Sequence, residues 1–340
     1  MNGCQRIRAA LEGRPPDAVP VMLHNFLMAA REAGVAMEQY RRDPRAIARC
    51  FIRAVETYGY DGVLVDVDTV TLAGALGAPV DFPRDAPARF AGARLSGLDE
   101  EIAPLDVGGH PRVQVWLEAV RLLREYFRDE IFVRGNCDQC AFSLAGMLRG
   151  PAAWMMDLMD PANHAAAHRL LAYCAAATQR FLELMAAAGA HMLSNGDSPA
   201  GPDVVSPRIY RGFAQPYEAR AAARAHELGL PYVLHICGRT DAILPDMLAT
   251  GADGLELDYK TDARRAHALM KDRAAFVGNI DPGGVLARGS PADVERETRR
   301  LVELFADTPR FILNAGCALP ADTPPANLRA MLRAARLSSS

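Results

Sequence analysis

Eight short runs of aliphatic and β-branched residues recur along this chain, separated by stretches with helical periodicity, and that alternation constrains the fold more than any other feature. The runs are Val19 to Leu23, Asp61 to Asp66, Ile131 to Gly135, Ala190 to Asn195, Leu230 to Ile236, Asp253 to Leu257, Ala275 to Ile280 and Arg310 to Ala315. Between them lie Arg45 to Tyr58, Val113 to Phe127, Ala165 to Ala187, Pro216 to Leu228, Arg264 to Lys271 and Pro291 to Phe305, each long enough for a crossover helix. Strands that alternate with helices pair in parallel, because a parallel neighbour is reached only through a long crossover. Eight such units in 340 residues exceed the ~250 residues typical of a (β/α)8 barrel and leave room for insertions. The pattern predicts an α/β chain folded as a (β/α)8 TIM barrel, with an N-terminal helical extension and an elaborated loop, Phe82 to Glu130, after the second strand. No internal repeat or linker divides residues 1–340, so a single barrel domain is expected. Ser290-Pro291 and Thr323-Pro324 punctuate the last helices as N-cap and N1 residues, the closing helix running from Pro325 to Arg336.

In such a barrel the functional side chains stand at the C-terminal ends of the strands. Those ends carry His24 and Asn25, Asp66 and Asp68, Asn136 to Cys140, Asn195 to Ser198, His235 and Cys237, Asp258, Asn279 and Asp281, and Cys317. An Asp or Asn after a strand is commonly a turn or cap residue, and Asp281-Pro282-Gly283-Gly284 fits a plain turn. His235-Ile236-Cys237 is different: residues two apart on a strand share a face, so imidazole and thiol aim at one point. With Cys317 they form a set that Zn²⁺ favours, three protein ligands leaving a fourth position open. The competing reading treats the cysteines as small buried hydrophobes. Both elements, however, end at these residues and then run into Gly238-Arg-Thr-Asp241 and Ala318-Leu-Pro-Ala-Asp322.

Composition narrows the function classes. A net charge of -3 offers no basic face for nucleic acid. No apolar stretch is long enough to span a membrane, and the charged start MNGCQRIRAALEGRPP has no signal-like apolar core, so a cytoplasmic location is expected. Seven scattered cysteines do not form a disulfide framework. Cys137-Asp-Gln-Cys140 has redox spacing without thioredoxin-like context, and reads as a loop at a pocket edge.

The segments His235 to Gly238 (HICG), Gly278 to Pro282 (GNIDP), Cys137 to Gly150 (CDQCAFSLAGMLRG) and Asn195 to Arg220 (NGDSPAGPDVVSPRIYRGFAQPYEAR) resemble the uroporphyrinogen decarboxylase superfamily along nearly the whole chain. The HxC with a distant Cys is similar to its zinc-dependent corrinoid methyltransferase branch, which includes methylcobalamin:coenzyme M methyltransferases and O-demethylase components. Against the decarboxylase itself, Val19 to Ala30 contains no arginine where its carboxylate-binding signature would fall, Gly146 stands near its active-site tyrosine, and Cys317 replaces its final-turn histidine. The resemblance implies a barrel whose zinc is held by His235, Cys237 and Cys317. It also implies a methylcobalamin or other corrinoid brought by a separate corrinoid-binding protein, since no cobalamin-carrying segment is seen. Asp68 matches the decarboxylase's essential aspartate. Asp68 and Asp197 are the candidate catalytic residues, Asp197 or alternatively Glu256 lying beside the metal. His24, Asn25, Asn136, Gln139 and Asp281 are expected to bind substrate in the same cleft. The small methyl acceptor or donor is a thiol such as coenzyme M, tetrahydrofolate or a methoxylated compound. The partner is expected to dock on the loops after residues 136, 195 and 281, and a homodimer is compatible with the fold. Decarboxylation and a non-catalytic zinc-braced binding barrel are the alternatives.

Overall fold

The structure is a computed structural model; it describes residues 1–84, 87–100, 102 and 106–337. Eight parallel strands, β1 (Met22–Leu23), β2 (Gly62–Val65), β3 (Phe132–Gln139), β4 (Met192–Gly196), β5 (Tyr232–Ile236), β6 (Gly254–Leu257), β7 (Ala275–Ile280) and β8 (Phe311–Ala315), pair in chain order. A parallel bridge between Val21 and Leu313 closes the ring. This is the expected (β/α)8 barrel, and a solved neighbour described below has the same fold. Both faces of a parallel barrel strand are covered, which is why the strands read as apolar runs rather than alternating ones. The crossover helices, among them Pro44–Tyr58, Pro111–Phe127, His164–Ala187 and Pro291–Leu304, pack on the outside.

Inside the barrel the period of two sorts residues into layers. The lowest layer is apolar: Met22, Phe132, Met192, Val233, Val277 and Ile312 cluster with Cys4, Ile7 and Leu11 of the N-terminal helix Gly3–Glu12, which plugs that end. Two residues further along the strands the layer turns polar, with Arg134, Ser194, Glu256 and Asn314 all buried. Asn136 lies two residues beyond Arg134 on β3, whereas on β5 His235 already stands two residues beyond Val233. The sequence thus seals one mouth of the barrel with hydrophobes and leaves the other for chemistry.

Two details differ from the sequence expectation. β3 runs through Gln139, four residues past Gly135, with a register shift between Asn136 and Gln139 against β4. Such a bulge re-aims side chains next to active sites. Cys137 and Cys140 are consequently buried, Cys137 within the strand, and burial raises both thiols far from reactivity; they are not at a pocket edge. The connection after β2 is not a bare loop either, since it contains an antiparallel pair, Val80–Asp81 with Arg89–Phe90, before the helix Pro111–Phe127. Among the described residues no helix is long and apolar enough to cross a membrane.

Candidate metal centre

His235 stands near the end of β5 and Cys237 just beyond it, while Cys317 follows β8. Glycines set both cysteines in place. Gly238 has φ +87°, and a Cβ there would lie 2.3 Å from Asp203 Oδ2; a Cβ on Gly316 would lie 2.4 Å from the Tyr259 backbone N. The turn after Cys237 is further held by Gly238 N–H donating to Asp258 Oδ2 at 2.9 Å and Cys237 N–H donating to Ser198 Oγ at 3.2 Å.

The three ligand atoms converge: His235 Nε2 lies 3.0 Å from Cys237 Sγ, and the two sulfurs are 3.7 Å apart. Two sulfurs each ~2.3 Å from a tetrahedral ion are separated by about 3.75 Å, so the sulfur pair already spans a zinc tetrahedron's edge. The histidine is held in the ligating tautomer. Its Nδ1–H donates to the Glu256 carbonyl at 2.9 Å, so Nε2 is the nitrogen that faces the sulfurs and would bind a metal once its proton is displaced. Without metal, one positive charge and one negative charge organise the group. Burial opposes charge on His235, but the adjacent Cys237 sulfur outweighs it and raises the imidazole to about 10. The Cys317 hydrogen bond, with His235, lowers Cys237 to about 3, and Cys317 itself is pushed up by Cys237 and by burial. A cation arriving here meets a thiolate already formed and displaces two protons.

A second cluster of metal-binding residue types, Cys4, Asp129 and His191, sits at the sealed end. There His191 Nδ1 accepts from Val133 N–H, so its proton is on Nε2 and points to Asp129, leaving no lone pair for a metal. A groove of about 890 Å³ between the helices Pro44–Tyr58 and Pro111–Phe127 is larger than the cavity beside the triad, but it lies on the barrel's outer surface and is lined by neither His nor Cys.

The cavity beside the triad measures about 160 Å³ and is lined by His24, Asn136 and Gln139 of the expected substrate-binding residues, and also by Asp66, Arg134, Asn195, Ser198 and Glu256. His24 Nε2 is 2.7 Å from Asp66 Oδ2, and Asn136 Nδ2–H donates to Asp66 Oδ1 at 3.0 Å, joining β1, β2 and β3 across the mouth. Arg134 and Glu256 form a buried ion pair at 2.6 Å; burial alone would raise Glu256, yet Arg134, His235 and His24 outweigh it and hold the carboxyl at about 2.

The remaining candidates lie at the same end of the barrel but outside this lining. Asp68 holds the turn that leads into the helix Thr71–Ala75, accepting from Val70 N–H, Thr71 N–H and the Thr71 hydroxyl. Asp197 accepts from the Ser143 backbone and hydroxyl and hydrogen-bonds the buried Glu218; burial drives it up to about 6. Asn25 is buried against the Tyr60 hydroxyl. Asp281 caps the turn Pro282–Ala287 through Gly283 and Gly284 N–H, and borders a separate groove with Tyr259 and Lys260. Asp66, read from the sequence only as a polar strand end, and Arg134, not singled out there, also line the cavity. Period-two spacing could have found Arg134, because it stands two residues before Asn136 on the same inward face.

Fold and site together define a (β/α)8-barrel protein with a His–Cys–Cys cluster that could hold a metal ion at the open mouth. The uroporphyrinogen decarboxylase (URO-D) family profile matches residues 3–337, and the chain belongs to that family. Its relatives include a methylcobamide:CoM methyltransferase (MtaA) of Methanosarcina barkeri, 28% identical across 97% of this chain and 96% of that one. A second methylcobamide:CoM methyltransferase (MtbA), from Methanosarcina acetivorans, is 30% identical across 98% and 97%. A uroporphyrinogen decarboxylase of Syntrophotalea carbinolica is 28% identical across 94% and 93%. The solved structure of a methyltransferase from Methanosarcina mazei shares the fold with a TM-score of 0.90 and 24% identity, covering 98% of each chain.

Proposed function

We propose that this enzyme, a methyltransferase like those relatives, moves a methyl group between the corrinoid of a separate protein and a small acceptor or donor, with Zn²⁺ held by His235 Nε2, Cys237 Sγ and Cys317 Sγ. The observation that supports it most is the convergence of these atoms, with a sulfur separation of 3.7 Å, beside a small cavity at the open mouth. Zinc in such a site supplies charge that favours the thiolate form of a small thiol, the nucleophilic state, over the thiol. The protein's own groups do the rest. Glu256 orients His235 through its carbonyl, Ser198 and Asp258 fix the Cys237 turn, and the His24, Asp66 and Asn136 network shapes the wall opposite.

The decarboxylase alternative fits less well. A cavity of about 160 Å³ is close to the ~150 Å³ that accommodates a benzene, far below a tetrapyrrole, and the first strand and its extension carry no arginine for carboxylates. The corrinoid then meets the mouth from outside, where Val204 and Tyr259 are exposed after β4 and β6. Of the expected docking segments, that after residue 136 is strand rather than loop; those after 195 and 281 remain as the proposed contact. The test is to add free methylcobalamin, or a corrinoid protein encoded nearby, to zinc-loaded enzyme and follow the cobalt spectrum with thiols, tetrahydrofolate or methoxylated compounds. No zinc-dependent change in cobalt methylation with any of them would refute the proposal.

A further inference from the structure

One glycine at the open mouth is not required by the fold. Elsewhere in the barrel strands neighbours crowd the glycines: a Cβ would lie 2.5 Å from Ile7 Cδ1 at Gly62, 2.4 Å from Met185 Cγ at Gly135 and 2.8 Å from the Leu257 carbonyl oxygen at Gly278. Gly196 of β4 is different. Its backbone lies outside the left-handed region, and a Cβ there would meet, chain neighbours aside, only the Gln139 side-chain amide, 3.6 Å from Nε2 and 3.9 Å from Oε1. These are ordinary van der Waals distances, so alanine would fit the protein. A glycine inside a strand weakens it, and it often marks the close approach of another backbone or of a ligand. On the side a Cβ would take, no backbone approaches Gly196 within 4 Å beyond its chain neighbours, which leaves the ligand.

What surrounds Gly196 indicates how that ligand lies. Gly196 lines the cavity and pairs in register with Gln139 on β3 and His235 on β5, both of which also line it. The three residues form one row across neighbouring strands. Two strand spacings set the Gln139 and His235 backbones about 9.5 Å apart, and only the absent side chain of Gly196 keeps the space between them clear. At the far end of the row Gln139 is 9% exposed, and among the described residues its side-chain amide has one hydrogen-bond partner, Asp138. A primary amide has two N–H donors and a carbonyl acceptor, so a donor and the acceptor remain for a polar group lying over Gly196. We propose that Gly196 determines specificity in the methyl transfer proposed above, a reading on which this inference rests: its missing side chain keeps open a passage from the His235–Cys237–Cys317 cluster to Gln139, and the compound that exchanges its methyl group is short and unbranched, with a far end that hydrogen-bonds the Gln139 amide. A hydroxyl or a sulfonate satisfies that amide equally. Length and width, rather than charge, are what the passage selects.

Four thiols test this in full-length protein with Co²⁺ in place of zinc, binding being read from the visible ligand-field spectrum: methanethiol, ethanethiol, 2-mercaptoethanol and 2-mercaptoethanesulfonate. G196A is expected to weaken the two-carbon thiols by at least about tenfold relative to methanethiol, with melting temperature and Co²⁺ content unchanged. Q139L is expected to weaken the two thiols with oxygen-bearing ends by about tenfold relative to ethanethiol. Methylcobalamin consumption by the zinc forms is read separately. Equal loss for all four thiols in G196A, loss for none, or a G196A protein that fails to fold or to load metal overturns the inference, as does a failure of all four to perturb the wild-type spectrum. An unchanged preference in folded, metal-loaded Q139L overturns the role of Gln139. Methylcobalamin consumption that neither variant alters would overturn the inference and leave methyl transfer standing. The expected binding pattern without methylcobalamin consumption by any thiol would instead support the passage and refute thiol methylation.

Discussion

Replacing Cys317 with alanine removes one of the three proposed zinc ligands from a different strand than the other two, and the consequence can be worked out in magnitude. Structural zinc sites with four ligands bind with about 10–16 kcal/mol, or roughly 2.5–4 kcal/mol per ligand. At 1.4 kcal/mol per tenfold, loss of one ligand weakens binding by about 10²- to 10³-fold. His235 and Cys237 stay 3.0 Å apart because they share β5 and its extension, so C317A keeps a two-atom bite of residual affinity. C237A leaves His235 and Cys317 without the sulfur that each of them contacts, and the loss falls at the upper end of that range. Zinc affinity is measured by competition with a chromophoric chelator, and the zinc-dependent rise in thermal stability by melting with and without chelator. Zinc at 1,000 times Kd stabilises by about 4 kcal/mol, a shift that the wild-type protein shows and C317A loses at the same concentration. C140A is the matched control, since Cys140 is buried against Tyr232 and contacts none of the ligands. Full zinc occupancy in both C237A and C317A, or losses below about tenfold in both, would remove the site.

Three further outcomes follow from the surrounding contacts. D66N, which weakens the link from β2 to His24 and Asn136, should lower methyl transfer by about 10- to 100-fold while zinc content stays unchanged; unchanged turnover would show that the network is only structural. D68A should instead cost about 1–3 kcal/mol of stability by leaving the buried Val70 and Thr71 donors without their acceptor, with turnover per folded molecule changed little; a D68N enzyme of unaltered melting temperature but abolished turnover would contradict the turn-holding role and restore Asp68 as catalytic. Burial lifts the folded pKa of Asp197 to about 6 and that of Glu218 well above its usual value. At this pair the folded state thus holds more protons than the unfolded one, so the pair's contribution to stability is present at low pH and is lost as pH rises towards and through about 6; E218Q, which supplies an uncharged hydrogen-bond partner, should flatten that part of the pH dependence in chemical denaturation, and an unaltered slope would refute the role of the Asp197–Glu218 pair.

How far the sequence could be read depended on what each residue's position demanded. Strands buried on both faces must be apolar runs, and seven of them fell within a residue of the expected spans or inside them; β3 alone escaped, because its continuation Asn136-Cys-Asp-Gln139 is polar and bulged and looks like a loop. His235 and Cys237 were legible because period two holds through Ile236 and one residue beyond. Period two does not extend to Asp66 and Asp68. β2 ends at Val65, so the chain turns between them: Asp66 reaches His24 and Asn136, whereas Asp68 folds back onto the helix at Thr71.

Arg134 and Glu256 mark the other limit of legibility, and their placement explains why this barrel has a polar middle. Each is a charged residue flanked by buried neighbours on a central strand, Val133 and Gly135 on β3, Leu255 and Leu257 on β6. A charge there cannot reach solvent, so it must point into the barrel and find an opposite charge; the sequence signals the need without naming the partner, which arrives from 122 residues away. A buried pair of this sort contributes little net stability, because desolvation offsets most of the attraction. An apolar layer of Val and Leu would serve a purely structural barrel at least as well. Its use here is placement. Glu256 touches the site twice, its carbonyl fixing the His235 tautomer and its carboxylate balancing Arg134 beneath the cavity. The first contact comes from the backbone of this β6 residue and the second from its side chain, so E256Q should leave affinity at the proposed metal site nearly intact as long as the backbone carbonyl stays in register with His235.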